Sequence, residues 1–371
     1  MNRENNIPNP LRKCSLYPIE HIARGFYRGG ADDDDFDSAI LPFQVTDELT
    51  IEDVSNLIAR DEFEIHRAGL GTYSHERLGK FKYALVHRFP QYEIDETNRI
   101  AAFETEMVER SRNLVRSAAA CLRLIRPATQ HLHFFEGNIN DGGKFCHVGF
   151  DAPVDTVMNP ISHRTLGFRT EDADNLRIYF PLFLTGMAGQ YWKFRMAVQM
   201  HESGCFQNND WRAKFFLWTT AIESLFTTQS QRGENSGSFV AAERIKFFLG
   251  PKTSIYPPGE LSSVYTNPNL SVEDVLGELY CLRNHIAHGD RVPPYYFQQP
   301  GRQNILDGSI SKFDMLLEAT SFVIRHSLLK ILRGNLLDKF ADAAASDAYF
   351  GAQGLTKAML KKARIPHFQC P

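Results

Sequence analysis

The sequence predicts an α+β domain followed by an all-α helical bundle. Three observations carry this. Short apolar alternating stretches, readable as strands, occur only before about residue 160. One long amphipathic segment lies among them, at 100–125. After about residue 170 the apolar residues recur at helical spacing, broken by Gly, Pro and Ser/Asn-rich connectors. The division expected is 1–170 for the α+β domain, 171–340 for the helical domain and 341–371 for a basic C-terminal tail.

The 371 residues are enough for two domains, and 43% hydrophobic with 23% charged residues is the balance of a packed core under a solvated surface. With 28 Phe, aromatic packing should dominate that core. A net charge of −3 argues against avid, sequence-blind binding to duplex nucleic acid, but leaves room for a local basic site. The six cysteines are scattered without a CxxC pair, and the first residues, MNRENNIPNPLRKC, lack an apolar leader core. No stretch approaches the length of a membrane span. These features together predict a cytoplasmic protein with no membrane partner.

Residues 1 to about 40 read as irregular, and the acidic run Ala31–Asp37 reads as a solvated loop, since EF-hand spacing is absent. Phe81–Phe89 reads as a strand with Phe81, Tyr83 and Leu85 on one face. Two more strands are expected at His131–Phe135 and Phe145–Phe150, joined as a hairpin through NINDGGK. Between them, Ile100–Ile125 has Ala101, Met107, Val108, Leu114, Val115, Ala118 and Leu122 at helical spacing, and Pro127 ends it.

In the second half, Tyr179–Met200 is an aromatic-rich helical stretch. Trp211–Phe226 follows, with Phe215, Trp218, Ile222, Leu225 and Phe226 on one stripe. Phe239–Leu249 is short and helical, stopped by Gly250-Pro251. The next helix opens on a capping box, Ser271-x-x-Asp274, and runs to Gly289. The last opens on Ser311-x-x-Asp314, with Phe313, Leu316, Leu317, Thr320, Ile324, Ser327, Leu328 and Ile331 facing inward. A basic amphipathic piece with Lys357, Lys361, Lys362 and Arg364 closes the chain.

The helix from 272 to 288 carries the candidate chemistry. Val275, Leu279, Leu282 and Ile286 form its apolar stripe, and Gly277, Cys281, Asn284 and His288 line up on nearly the opposite side. Arg283 and His288 sit roughly 140° apart around the axis, so one helix does not bring them together. A second copy across a two-fold axis would place two of each in one cleft. An imidazole transfers protons near neutral pH, and a guanidinium matches phosphate oxygens. RNA supplies its own nucleophile, the 2′-OH, so this pair suits RNA cleavage without a metal or other cofactor.

Here the chain resembles a family, the HEPN superfamily, and within it the Apea-like HEPN domains. The resemblance lies in FFLWTTAIESLF (Phe215–Phe226), AAERIKFFLG (Ala241–Gly250) and LYCLRNHIAHGDRV (Leu279–Val292), and covers roughly residues 170–335. It implies Arg283, Asn284 and His288 as the catalytic motif, with Glu223 where an acidic residue positions the Arg. It further implies a metal-independent endoribonuclease acting on RNA as a homodimer through the helical domain, in antiviral defence of the abortive-infection kind with a phage-derived trigger. The alternative is a catalytically silent HEPN module that binds RNA or scaffolds a defence complex. Without the resemblance, His288 reads as a helix-end cap beside a surface Arg, and His285 as an exposed polar residue.

Other residues are weaker candidates for a metal site. His131 and His133 share a strand face, but Cys146 and His147 point to opposite faces, and His201 with Cys205 is a bare i,i+4 pair. Gly69-Leu70-Gly71 lacks the lysine of a phosphate loop.

Overall fold

A computed structural model describes residues 13–19, 38–55, 83–89, 99–126, 130–132, 135–139, 145–150, 154–156, 169–206, 210–227, 237–255, 270–297 and 311–356. The strands are β1 (Lys13–Ile19), β2 (Phe43–Gln44), β3 (Leu49–Asp53), β4 (Tyr83–Phe89), β5 (Gln130–Leu132), β6 (Phe135–Ile139), β7 (Phe145–Phe150) and β8 (Val154–Thr156). The helices are α1 (Arg99–Ile125), α2 (Thr170–Met187), α3 (Trp192–Cys205), α4 (Trp211–Phe226), α5 (Gly237–Leu249), α6 (Val272–Ala287), α7 (Lys312–Arg333) and α8 (Ala343–Ala352). Strands mixed with one helix, followed by helices alone, is the coarse order expected. No described helix is long and apolar enough to cross a membrane.

Six strands form one sheet in the order β2-β3-β4-β1-β6-β7, and β5 pairs with β8 in a second. β1 is central, with Leu16 opposite Val86 on one side and Phe135 on the other. It lies where the sequence reads as irregular. Pro18 hides it, because proline is rare inside a sheet. The β1–β6 ladder runs only from Lys13 to Leu16, so Pro18 lies beyond the last pair on that side.

The hairpin is β6–β7, not one built on His131–Phe135. Asn138 and Ile139, expected in the turn, lie in β6 opposite Cys146 and Phe145. β4 is buried on both faces, Ala84 and Val86 as fully as Tyr83 and Leu85. Phe81 lies outside the described residues, as do the acidic run Ala31–Asp37, Gly69–Gly71 and the basic piece from Lys357.

α1 packs on β4 and β1 along one side and against α2 and α7 along the other. Its last two turns, Ala118–Arg126, are buried all round, and the small side chains of Ala118, Ala119, Ala120 and Cys121 permit the close approach. Polar links reinforce the junction. Arg126 makes a two-pronged ion pair with Asp172 on α2, at 2.8 and 2.9 Å. Arg123 Nε donates to both oxygens of Glu202 on α3 at 3.0 Å, and Arg325 on α7 donates to the Leu124 carbonyl at 3.1 Å. One apolar core therefore runs from Phe43 to Phe350, across the boundary expected at residue 170.

The aromatic stretch from Tyr179 is two helices, not one. Ala188 leaves helical geometry with ψ 159°, and the chain turns before Trp192. α3 then packs along α4, with Gly204 directly beneath Trp218, whose Nε1 donates to the His201 carbonyl at 3.0 Å. The stripes expected on α4 and α7 are buried as anticipated. The folded region also extends past residue 341. Phe350 on α8 is fully buried among Phe226, Phe248 and Phe340, with ring centroids 6.0–6.4 Å away.

Candidate functional site

The motif helix α6 forms where its local signals place it. Ser271 precedes it in extended geometry and its N–H donates to the Asp274 carboxylate at 2.9 Å. Val275, Leu279 and Leu282 are buried and Ile286 is half-buried, as the wheel requires. The helix ends in a Schellman arrangement. Gly289 takes φ +70°, its N–H bonds the Ile286 carbonyl at 3.2 Å, and the Asp290 N–H bonds the His285 carbonyl at 2.9 Å. His288 is the C-cap residue and its side chain is exposed.

Arg283 reaches across to α4. Its Nη2 donates to Glu223 Oε2 at 2.9 Å and its Nη1 lies 3.4 Å from Asn284 Oδ1. Both members of the ion pair are mostly covered, with 23% and 16% of the side chains exposed. The third guanidinium nitrogen, Nε, is buried without a hydrogen-bond partner. Burial pushes the Glu223 carboxyl above its usual range, and the Arg283 charge opposes that push.

The end of α4 that carries Glu223 is itself fixed by two buried cations. Lys193 on α3 donates to the carbonyls of Leu225 and Thr227 at 2.9 and 2.8 Å, and Arg244 on α5 donates to the Phe226 carbonyl at 3.1 Å. Helix C-terminal carbonyls attract cations and otherwise lack partners. Burial, with the nearby Arg244 charge, pulls the Lys193 ammonium down to about 8.

The structure thus unites Arg283, Glu223 and Asn284, but not His288. No hydrogen bond joins Arg283 to His288 among the described residues, in keeping with their angular separation. Two expectations about α6 are corrected. Cys281 is buried and disulfide-bonded, so the stripe from Gly277 to His288 is not an open face. His285 is half-buried rather than exposed. Its Nε2 is covered and unpartnered, and its ring meets Tyr296 edge-on, centroids 6.4 Å apart.

Tyr280 was not anticipated. It is wholly buried three residues before Arg283, and burial with the adjacent Glu223 charge holds its hydroxyl protonated. Its spacing from Arg283 was a usable signal, since i and i+3 share a helix face.

Among the metal candidates, His131 lies in the two-stranded sheet and Cys146 and His147 in the six-stranded one. His133 lies outside the described residues. His201, Glu202 and Cys205 do come together, their ligand atoms within 4.8 Å of one another. Glu202 is engaged by Arg123, and the charge of Arg325 also bears on His201 and Cys205. Burial raises the Cys205 thiol far above its usual range. The cluster reads as the polar tie between α1 and α3.

The fold and site define a helical bundle, joined to an antiparallel sheet, that holds a shielded arginine–glutamate pair near the end of one helix and an exposed histidine beyond it. Comparison with protein-family models, curated proteins and solved structures finds no match.

Proposed function

We propose that the chain is a metal-independent endoribonuclease of the HEPN type. The single observation carrying this is the Arg283–Glu223 pair across α4 and α6, which orients a cation five residues before an exposed His288 at the helix C-cap. In the reaction, His288 takes the proton of the ribose 2′-OH as that oxygen attacks phosphorus. The P–O5′ bond breaks, the leaving 5′ oxygen takes a proton from solvent water, and His288 returns the proton it took to solvent. The products are a 2′,3′-cyclic phosphate and a 5′-OH. Arg283 offsets the charge that builds on the phosphoryl oxygens, and Asn284 orients the group. Because Arg283 and His288 do not meet within one chain, the site is completed across a homodimer, each copy supplying its own α6 end.

A second reading, a catalytically silent module that binds RNA, is favoured by the same separation if the chain is monomeric. The test is cleavage of mixed cellular RNA in EDTA by wild type, Arg283→Ala and His288→Ala, with sedimentation of each. Cleavage by wild type alone, leaving cyclic phosphate ends, supports the enzyme. Equal cleavage by His288→Ala overturns it, and RNA binding without cleavage by a monomer favours the silent module. In line with the sequence resemblance, we propose a role in antiviral defence with a phage-derived trigger, which expression during phage infection tests.

A further inference from the structure

The face of α4 that ends at Glu223 carries two exposed residues, Arg212 and Phe216, with no role in the core. On a helical wheel Arg212, Phe216 and Glu223 fall within roughly 40° of one another, and Thr220 lies beside them. Their neighbours Phe215, Trp218, Ile222 and Leu225 are buried on the other side. Phe216 is 38% exposed and stacks on no other ring among the described residues. An exposed phenylalanine on a helix whose apolar stripe is already satisfied has no packing duty.

Arg212 is exposed, with its guanidinium carbon 4.3 Å from the centre of the Trp211 ring. It has no carboxylate partner among the described residues. The nearest acidic group in sequence, Asp210, lies about 160° away on the wheel and is turned onto the Arg212 and Ala213 amides at 3.0 and 3.1 Å. Arg212 is therefore a cation placed over an aromatic ring, with no carboxylate partner among the described residues. Such a group pairs with phosphate, and a free aromatic face stacks a nucleobase.

The placement along the helix makes these two features a track. Arg212 and Phe216 are about 6 Å apart along the axis, and Phe216 and Glu223 about 10 Å. Glu223 holds Arg283, so the line Arg212, Phe216, Glu223 leads directly to the guanidinium of the motif. We propose that this face of α4 is a binding track for single-stranded RNA, on which Arg212 pairs with a phosphate and Phe216 stacks a base, delivering the strand to Arg283. The track rests on the reading of Arg283 as an RNA site. Single strands fit because a base inside a duplex has no free face for Phe216.

The test uses the full-length chain carrying His288→Ala, so that substrate survives, and measures affinity for a uridine-rich single-stranded RNA oligonucleotide by fluorescence anisotropy. Phe216→Leu keeps apolar bulk and should weaken binding roughly 5- to 150-fold, whereas Phe216→Tyr keeps the ring and should bind as the parent does. Arg212→Gln should lower the slope of log affinity against log salt by about 0.7, the value for one lost phosphate contact on a single strand. An oligonucleotide with abasic sites should bind the parent and Phe216→Leu equally. Unchanged affinity in Phe216→Leu overturns the track, as does a parent that binds no single-stranded RNA. If Phe216→Leu instead dissociates an oligomer, the face is a contact between copies and the track is likewise overturned. Cleavage that depends on His288 with affinity independent of Phe216 removes the track and leaves the enzyme. Phe216-dependent binding without cleavage removes the enzyme and leaves the track.

Discussion

The Arg283 guanidinium donates to the Glu223 carboxylate at 2.9 Å, linking the motif helix to the helix beside it. The pair is covered enough that neither charge is well solvated alone, yet Arg283 retains donors that Glu223 does not use. Glu223 thus sets the position of Arg283 across the α4–α6 contact.

Glu223→Gln should keep the fold and lower RNA cleavage, because the amide holds Arg283 less firmly than a carboxylate. Glu223→Asp, with its charge retained on a shorter arm, should fall between the two. Rates of cyclic-phosphate formation, read beside the melting temperature of each variant, check this. Arg283→Ala should in addition cost about 1–3 kcal/mol of stability, since it leaves a largely covered carboxylate unpaired.

His288→Ala should separate activity from stability. The side chain is exposed, so stability should change by no more than about 0.5 kcal/mol. The cleavage rate should drop about 10²- to 10⁴-fold, the usual contribution of an acid–base group. A large loss of stability with activity preserved would identify His288 as a structural cap only.

Gly289→Ala tests the Schellman end. A Cβ there meets no atom within 4 Å, but the residue holds φ +70°. The expected cost is about 1–2 kcal/mol from the backbone alone, accompanied by reduced cleavage as His288 loses its fixed C-cap geometry. Denaturant titration and the cleavage assay together read both effects.

Gly204→Ala should be worse for the fold. The added methyl would lie 2.5 Å from the Trp218 ring at the α3–α4 contact. Forcing those helices apart should cost about 1–3 kcal/mol and disturb α4 along its length. The change is measurable as a lower midpoint in urea.

Acid should loosen the junction of α1 with the bundle in two windows. Burial is the largest cause holding the His201 ring below its usual 6.5. The unfolded chain therefore binds this proton first, and stability falls as pH drops below about 6.5. Glu202 is held down to about 2, by Arg123 and His201 acting against burial. Its contribution is complete above about 4.5 and disappears as pH falls toward 2. Melting curves from pH 8 to pH 3 should show both, and His201→Gln should flatten the first.

Local signals made the second half of the chain legible. The Ser271 and Ser311 capping boxes mark helix starts, Gly289 marks an end, and the stripes on α4, α6 and α7 are buried as their periodicity requires. Arg283, Asn284 and Glu223 were also readable, and they meet. The first half was harder. β1 carries Pro18 and no sustained alternation, so nothing short-range distinguishes it from a loop. Its identity depends on β4 and β6, which lie far along the chain.

The sequence by itself determined the order of strands before helices, the caps and faces of the bundle helices, and the residue types of the site. Periodicity and capping act within one or two turns, and such short-range physics is written in consecutive residues. Only the tertiary structure decided that β1 sits at the centre of the sheet, that α1 joins the two halves in one core, that His285 is half-buried, and that Tyr280 is wholly buried. Those outcomes depend on which distant surfaces exclude water together, and spacing along the chain does not encode that directly.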